Sequence, residues 1–261
     1  MNYTIKTETE IKKMRKSGKL AAEVLEMIEK YVQPDVSTEE INNICHDFIK
    51  KRNAIPACLG YHGFPKSVCI SINDVVCHGI PSKKEILKKG DIVNIDVTVI
   101  KDNYFADTSR MFFVGETNQL CKKLCKITQE SLYASLNIIK PKIPFYKIGE
   151  IIQNYVEKNN FSIVREYCGH GIGSKFHEPP NVLHYKSCNN IFFEKGMIFT
   201  IEPMVNAGHS AVECMKDGWT VRTKDRSLSA QYEHTILVTE EGCDVLTWQK
   251  NEKIPSKFIN R

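Results

Sequence analysis

The sequence passes twice from helix-like to strand-like periodicity, and that order narrows the fold more than any other feature. Thr7-Glu-Thr-Glu10 has the form of a capping box and precedes Ile11, Met14, Ala21, Leu25 and Ile28, so a helix is expected there, ended by Pro34. Ser37-Thr-Glu-Glu40 repeats the signal ahead of Ile41, Ile44, Cys45, Phe48 and Ile49, which share one helix face. Residues 68–76 and 91–100 then read as strands, and 104–114 as the return arm of a hairpin. Helical spacing resumes at Leu120, Leu124, Ile127, Leu132 and Leu136, closed by Pro141, and again at Ile148, Ile151, Ile152 and Tyr155. Strands are expected once more at 161–167, 197–205, 219–223 and 231–239. Runs of helices followed by runs of strands favour an α+β fold over alternating βαβ units. No Pro/Gly/Ser-rich linker divides the halves, so residues 1–261 are expected to form a single domain with internal pseudo-symmetry.

Several function classes drop out on composition. The net charge of +5 is small and dispersed, which argues against a specific nucleic-acid binder. No stretch approaches the roughly 18 apolar residues of a membrane span. The start, Met1-Asn-Tyr-Thr-Ile-Lys, lacks a basic segment followed by an apolar one, so no secretory leader and a cytoplasmic location are expected. Ten cysteines occur without a Cys-x-x-Cys pair and mostly within apolar runs; they read as small buried hydrophobes, not as a disulfide framework or a structural zinc site.

The chemistry lies in acids that interrupt apolar strands. In Asp91-Ile-Val-Asn-Ile-Asp-Val-Thr-Val-Ile100, Val93, Ile95, Val97 and Val99 face one way, and Asn94, Asp96 and Thr98 the other. A hairpin centred between Lys101 and Asp102 would set Asp96 opposite Asp107, whereas a bulge at Asn103 would leave them near neighbours. Two carboxylates that close repel, so a cation between them is the better reading than a solvated edge hairpin. Glu202 and Glu233 stand in similarly apolar runs, where an unpaired charge is costly. His170, bracketed by glycines in Cys168-Gly-His-Gly-Ile-Gly173, is the natural fifth member. The same glycines could suggest a dinucleotide loop, but the prolines of Phe176-His-Glu-Pro-Pro180 deny the helix that such a loop needs. Four carboxylates balance two divalent ions, with a neutral imidazole completing the set. Mixed oxygen and nitrogen donors suit Mn, Fe, Co or Zn without choosing among them. Two such ions could share and activate a bridging water and polarise a carbonyl, the chemistry of a hydrolase for amides, esters or phosphates.

Several runs together resemble the type I methionine aminopeptidases over roughly residues 4–248. They are Ala57-Cys-Leu-Gly-Tyr-His-Gly-Phe-Pro-Lys-Ser-Val-Cys69, Val75-Val-Cys-His-Gly-Ile-Pro81, the Asp96/Asp107 hairpin, Glu166-Tyr-Cys-Gly-His-Gly-Ile-Gly173, Thr200-Ile-Glu-Pro-Met204 and Gln231-Tyr-Glu-His234. The resemblance implies the pita-bread α+β fold, with two-fold pseudo-symmetry and helices packed on a curved antiparallel sheet. It implies removal of the initiator methionine from nascent chains when the second residue is small, by a metal-bridged water attacking the scissile carbonyl. The implied ligands are Asp96, Asp107, His170, Glu202 and Glu233, with Asp107 and Glu233 bridging the ions. Asp96 would complete one site, and His170 with Glu202 the other.

Among the catalytic residues, Glu202 would also shuttle the proton, His78 would contact the scissile nitrogen, and His177 would contact the substrate carbonyl. Cys58, Tyr61, Phe64, Cys69, Phe176 and Trp219 would form the methionine pocket, soft sulfur and aromatic groups matched to a thioether. Phe64 stands where bacterial relatives commonly carry tyrosine, a change that keeps the ring. Asn73, Val75 and Ser229 match a peripheral monovalent-cation site. The expected partners are the N-termini of nascent polypeptides, with transient ribosome contact, no membrane and a monomeric state. With neither the zinc-binding extension of many eukaryotic relatives nor the type II insertion before Trp219, the short bacterial form is expected. Prolidases share the fold but usually carry a large further N-terminal domain, and non-catalytic relatives have lost ligands. A two-metal phosphoesterase would explain the acids but not His78, His177 and the pocket.

Overall fold

Both predicted helix starts are capped as the sequence requires. Thr7 accepts from the Glu10 backbone N–H at 3.4 Å, and Glu10 returns a carboxylate oxygen to the Thr7 N–H at 2.8 Å, opening α1 (Glu8–Ile28). Its buried face ends at Ile28, and the exposed Glu29–Tyr31 tighten into a 3-10 turn ahead of Pro34. Ser37 caps α2 (Thr38–Lys50) through the Glu40 N–H at 3.2 Å. The computed structural model describes residues 3–255; Met1, Asn2 and residues 256–261, the two ends of the expected 1–261 domain, lie outside them.

Five strands follow: β1 (Ile55–Pro56), β2 (Cys69–Ile72), β3 (Val75–Cys77), β4 (Ile92–Lys101) and β5 (Tyr104–Phe113). Then come α3 (Gln119–Leu136) and α4 (Lys147–Lys158). After them run β6 (Ser162–Ile163), β7 (Gly169–Gly171), β8 (Glu178–Val182), β9 (Ile198–Ile201) and β10 (Met204–Asn206). The last five are β11 (Val212–Cys214), β12 (Val221–Thr223), β13 (Ser229–Gln231), β14 (His234–Val238) and β15 (Cys243–Val245). The order helices then strands thus occurs twice. Among the described residues all strand pairs are antiparallel and divide among four sheets, of which β1-β4-β2 with β5, and β15-β14-β9-β7-β8, carry most of the site.

Each half buries its own core. Leu20, Val24, Leu25 and Ile28 of α1 and Ile41, Cys45 and Ile49 of α2 pack on Val93, Ile95, Val97 and Val99, the apolar parity of β4. Leu124, Leu132 and Leu136 of α3 and Ile148 and Ile152 of α4 pack with Phe199, Ile201, Ala230 and Ile236. The helices therefore cover one face of the strands, and the polar parity is left facing inward. No helix among the described residues is long and apolar enough to cross a membrane.

The hairpin differs from the expected register. Its turn is Asp102-Asn103, both in the left-handed region (φ 52° and 66°), which aspartate and asparagine tolerate, so Lys101 closes against Tyr104. Asp96 therefore opposes Ser109, and Thr98 opposes Asp107, leaving the two aspartates diagonal on one face. Several long strands are also split. The expected 68–76 breaks at Asn73-Asp74, 197–205 at Glu202-Pro203 and 231–239 at Tyr232-Glu233, while only Ser162–Ile163 remains of 161–167 and Val221–Thr223 of 219–223. Pro203 has no N–H for a ladder, which makes the second break unavoidable. Glu202 and Glu233 thus sit in gaps between strands. Residues 178–182 form β8 and not a helix, as their prolines implied.

Candidate metal centre and its cavity

Four segments deliver the acids to one place. Asp96 and Asp107 come from β4 and β5. Glu233 is brought to them by a two-way backbone bridge with Ser109, at 3.0 and 3.3 Å, reinforced by the Thr108 hydroxyl on the Glu233 carbonyl at 2.7 Å. Thr235 locks the same junction, accepting from the Asp107 N–H at 3.1 Å and donating to the Asp107 carbonyl at 2.8 Å. Glu202 follows β9, its N–H donated to His184 Nε2 at 3.1 Å. Burial pushes His184 down to about 3, so it stays neutral and able to accept.

His170 lies on β7, where the flanking glycines do what their bracketing suggested. A side chain at Gly169 would meet the Thr200 carbonyl at 2.4 Å, and one at Gly171 the Pro179 carbonyl at 2.3 Å. Its Nδ1 lies 3.0 Å from the Gly171 carbonyl, which can only accept, so Nδ1 carries the proton and Nε2 presents a lone pair. That Nε2 is 3.8 Å from Asp107 Oδ2 and 3.7 Å from Glu202 Oε1. Burial, with His177 beside it, pushes His170 down to about 3 and keeps it in the neutral, ligating form.

Asp107, His170 and Glu233 offer ligand atoms within 4.8 Å of one another. Asp96 and Glu202 stand outside that tightest group but line the same cavity. Burial pushes Asp96 up to about 6 and Glu202 up to about 8, and it raises Asp107 and Glu233 well above the usual carboxylate range, with the neighbouring acids adding to it. Asp96 Oδ1 and Glu233 Oε1 are buried with no hydrogen-bond partner, a cost that a cation would remove. The neutral imidazole, the crowded carboxyls and these orphaned oxygens fit a divalent metal centre.

The cavity above the acids has a volume of about 170 Å³ and contains every catalytic, pocket and ligand residue expected from the sequence. Cys58, Phe64, Cys69 and Phe176 form one buried cluster, with Tyr61 and Trp219 packed against it. Phe64 meets Trp219 edge-on at 5.1 Å. His78 holds a positive φ of 55° between the rings of Tyr167 and Trp219, and burial lowers its pKa. His177 is exposed at the mouth, 2.7 Å from the Tyr61 hydroxyl, yet protein packed on its other faces and the nearby His78 and His62 push it down to about 4. Sequence reasoning missed Tyr167, Cys168 and Met204 in the wall. All three stood within runs already singled out, but nothing in their residue types marked them. Asn73 and Ser229 of the expected peripheral site also meet, Ser229 N–H donating to the Asn73 carbonyl at 2.8 Å.

Comparison with known proteins points the same way. The profile of metallopeptidase family M24 matches residues 12–240. A methionine aminopeptidase of Buchnera aphidicola subsp. Schizaphis graminum is 75% identical over 261 residues, all of both chains. That of Escherichia coli K12 is 62% identical over 258 residues, 98% of each. The solved methionine aminopeptidase of Rickettsia prowazekii superposes with a TM-score of 0.93 at 50% identity, over 94% of this chain and 100% of that one.

Proposed function

This chain belongs to metallopeptidase family M24, and from that membership we propose how its cavity works: it removes methionine from the N-termini of nascent polypeptides. The observation that carries the reading is the junction of a five-member acid and histidine cluster with a small sulfur and aromatic pocket in one cavity. Asp96, Asp107, His170, Glu202 and Glu233 would hold the divalent metal. The donor set admits Mn, Fe, Co or Zn. Bound there, the ions supply Lewis acidity toward a peptide carbonyl and acidify water to near neutrality.

The side chains do the rest. The pocket of Cys58, Tyr61, Phe64, Cys69, Phe176 and Trp219 takes the methionine side chain and excludes water from it. With the Tyr61 hydroxyl donating to His177 Nδ1, the Nε2–H would be free to donate to the substrate carbonyl as negative charge develops on its oxygen. His78, fixed between Tyr167 and Trp219, contacts the scissile nitrogen. Glu202 takes the proton from the attacking water and returns it to the leaving amine. The chain acts as a monomeric single domain in the cytoplasm and meets its substrates by transient contact with ribosomes. Asn73, Val75 and Ser229 hold a peripheral monovalent cation.

The test is a panel of tripeptides offered to metal-loaded protein. Free methionine should be released from Met-Ala-Ser, with far slower release of leucine from Leu-Ala-Ser and none of alanine from Ala-Pro-Ser. Preference for the Xaa-Pro peptide would place the activity with the proline-specific branch of the fold.

A further inference from the structure

Glu202 follows β9 and His170 lies on β7, yet one hydroxyl ties them together. Thr200 is fully buried on β9, and its Oγ1 lies 2.8 Å from Glu202 Oε1 and 3.0 Å from the His170 backbone nitrogen. A hydroxyl has one proton to give. The His170 N–H can only donate, so Thr200 accepts from it and keeps its own proton for Glu202, which can only accept it once ionised, as a metal ligand must be. The His170 carbonyl, 3.5 Å from the same oxygen, is the poorer taker of that proton. The contact depends on Gly169, where even a Cβ would lie 3.1 Å from Oγ1 and 2.4 Å from the Thr200 carbonyl.

We infer that Thr200 is a positioning residue that sets the spacing of His170 and Glu202, and with it the affinity for the metal they share. This rests on the metallopeptidase reading above. The Thr200 hydroxyl cannot reach substrate through Glu202 and acts only by orienting its neighbours. Replacing it with a group of the same shape leaves the His170 N–H unpaired in a dry interior. It also frees Glu202 Oε1 to rotate. Groups that orient metal ligands in this way typically change affinity or activity by about 10–100-fold when removed.

The experiment compares wild type, Thr200→Val, Thr200→Ser and Thr200→Cys by calorimetric titration of Mn²⁺ into metal-free protein, thermal melting, and steady-state cleavage of Met-Ala-Ser. Valine should weaken Mn²⁺ binding and lower kcat, each by about 10–100-fold. The peptide KM should stay near the wild-type value. Serine, which keeps the hydroxyl, should restore both. If the valine protein does not fold, cysteine serves in its place: it fills the same space as a weak donor and should lose metal affinity while melting normally. Wild-type affinity and kcat in the valine or folded cysteine variant would overturn the assignment, as would a serine variant no better than valine. A wild-type protein that neither binds Mn²⁺ nor cleaves the peptide would instead overturn the underlying function.

Discussion

His170 Nε2 stands 3.8 Å from Asp107 Oδ2, too far for a hydrogen bond and close enough for both atoms to reach one ion. Glu202 Oε1 is held at nearly the same distance, 3.7 Å, from the same nitrogen. A neutral histidine that faces two carboxylates without bonding to either is arranged for a third party. His170→Ala should therefore lose metal affinity by far more than it loses thermal stability in the metal-free state. Calorimetric titration and melting of the same samples check this, and unchanged affinity would remove His170 from the ligand set.

The same crowding predicts a pH signature. Asp96 is pushed up to about 6 and Glu202 to about 8 in the folded, metal-free chain, while carboxyls of an unfolded chain titrate near 4. Over that interval the folded state binds more protons than the unfolded one. The cluster's contribution to stability is therefore lost as pH rises through the folded values. Metal ions, which need the ionised forms, offset the repulsion. The rise in melting temperature on adding Mn²⁺ should thus be larger at pH 8 than at pH 5.5. An equal or smaller rise at pH 8 would contradict the role of Asp96 and Glu202 as metal ligands.

His177 and Glu202 should behave differently when altered. On the proposed roles, His177→Ala would leave all five ligands in place and remove one donor to the developing oxyanion. It should bind metal normally and lose about 10²–10³ in kcat with little change in KM. Glu202→Gln gives up both a charged ligand oxygen and the proton carrier, so it should lose more activity and bind metal less tightly. Loss of metal by the first variant together with full activity in the second would reverse the two roles.

Substrate choice follows from the cavity size. The cavity holds about 170 Å³, and its wall sets the methionine pocket, the acids and the mouth residue His177 close together. Met-Gly and Met-Ala peptides should be cleaved well and Met-Lys or Met-Phe peptides poorly. Equal rates across that set would mean that the mouth near Tyr61 and His177 is more open than its geometry indicates.

A stability prediction concerns Lys6, whose buried ammonium pairs with the buried Glu178 carboxylate beside His177. Glu178 also accepts from Thr4 and from the Lys175 backbone N–H. Lys6→Met leaves a carboxylate without its charge partner in the interior and should cost about 3–5 kcal/mol. Denaturant unfolding of both proteins with metal bound measures it. A change within experimental error would show that Thr4 and the Lys175 N–H suffice for Glu178.

Much of this was legible in the chain because certain residues are expensive where they stand. Asp96 among β-branched neighbours, and Glu202 and Glu233 in apolar runs, announce a cation because nothing else makes their burial affordable. Thr7 and Ser37 announce helix starts because a capping side chain must precede the first free N–H groups. The register of Asp96 against Asp107 was not legible, since Lys101-Asp102 and Asp102-Asn103 are both acceptable turn centres and only packing chooses. Thr98, Thr200 and Thr235 were invisible for the opposite reason. Threonine in a strand is ordinary, and its hydroxyl matters here only because the fold aims it at Asp107, Glu202 or His170. Lys6 likewise looks like any surface lysine until β8, which begins at Glu178, is seen packed against it.

Hydrolysis of methionyl peptides should depend on divalent metal held by Asp96, Asp107, His170, Glu202 and Glu233. The most direct measurement is the rate of methionine release from Met-Ala-Ser by exhaustively chelated protein, followed through stepwise addition of Mn²⁺, Co²⁺ or Fe²⁺. The chelated protein should be inactive, and activity should return in step with bound metal; in Glu233→Ala, which lacks a shared ligand, it should not return at comparable metal concentrations. Full activity in the demetallated protein, or metal-dependent activity undiminished in Glu233→Ala, would contradict it.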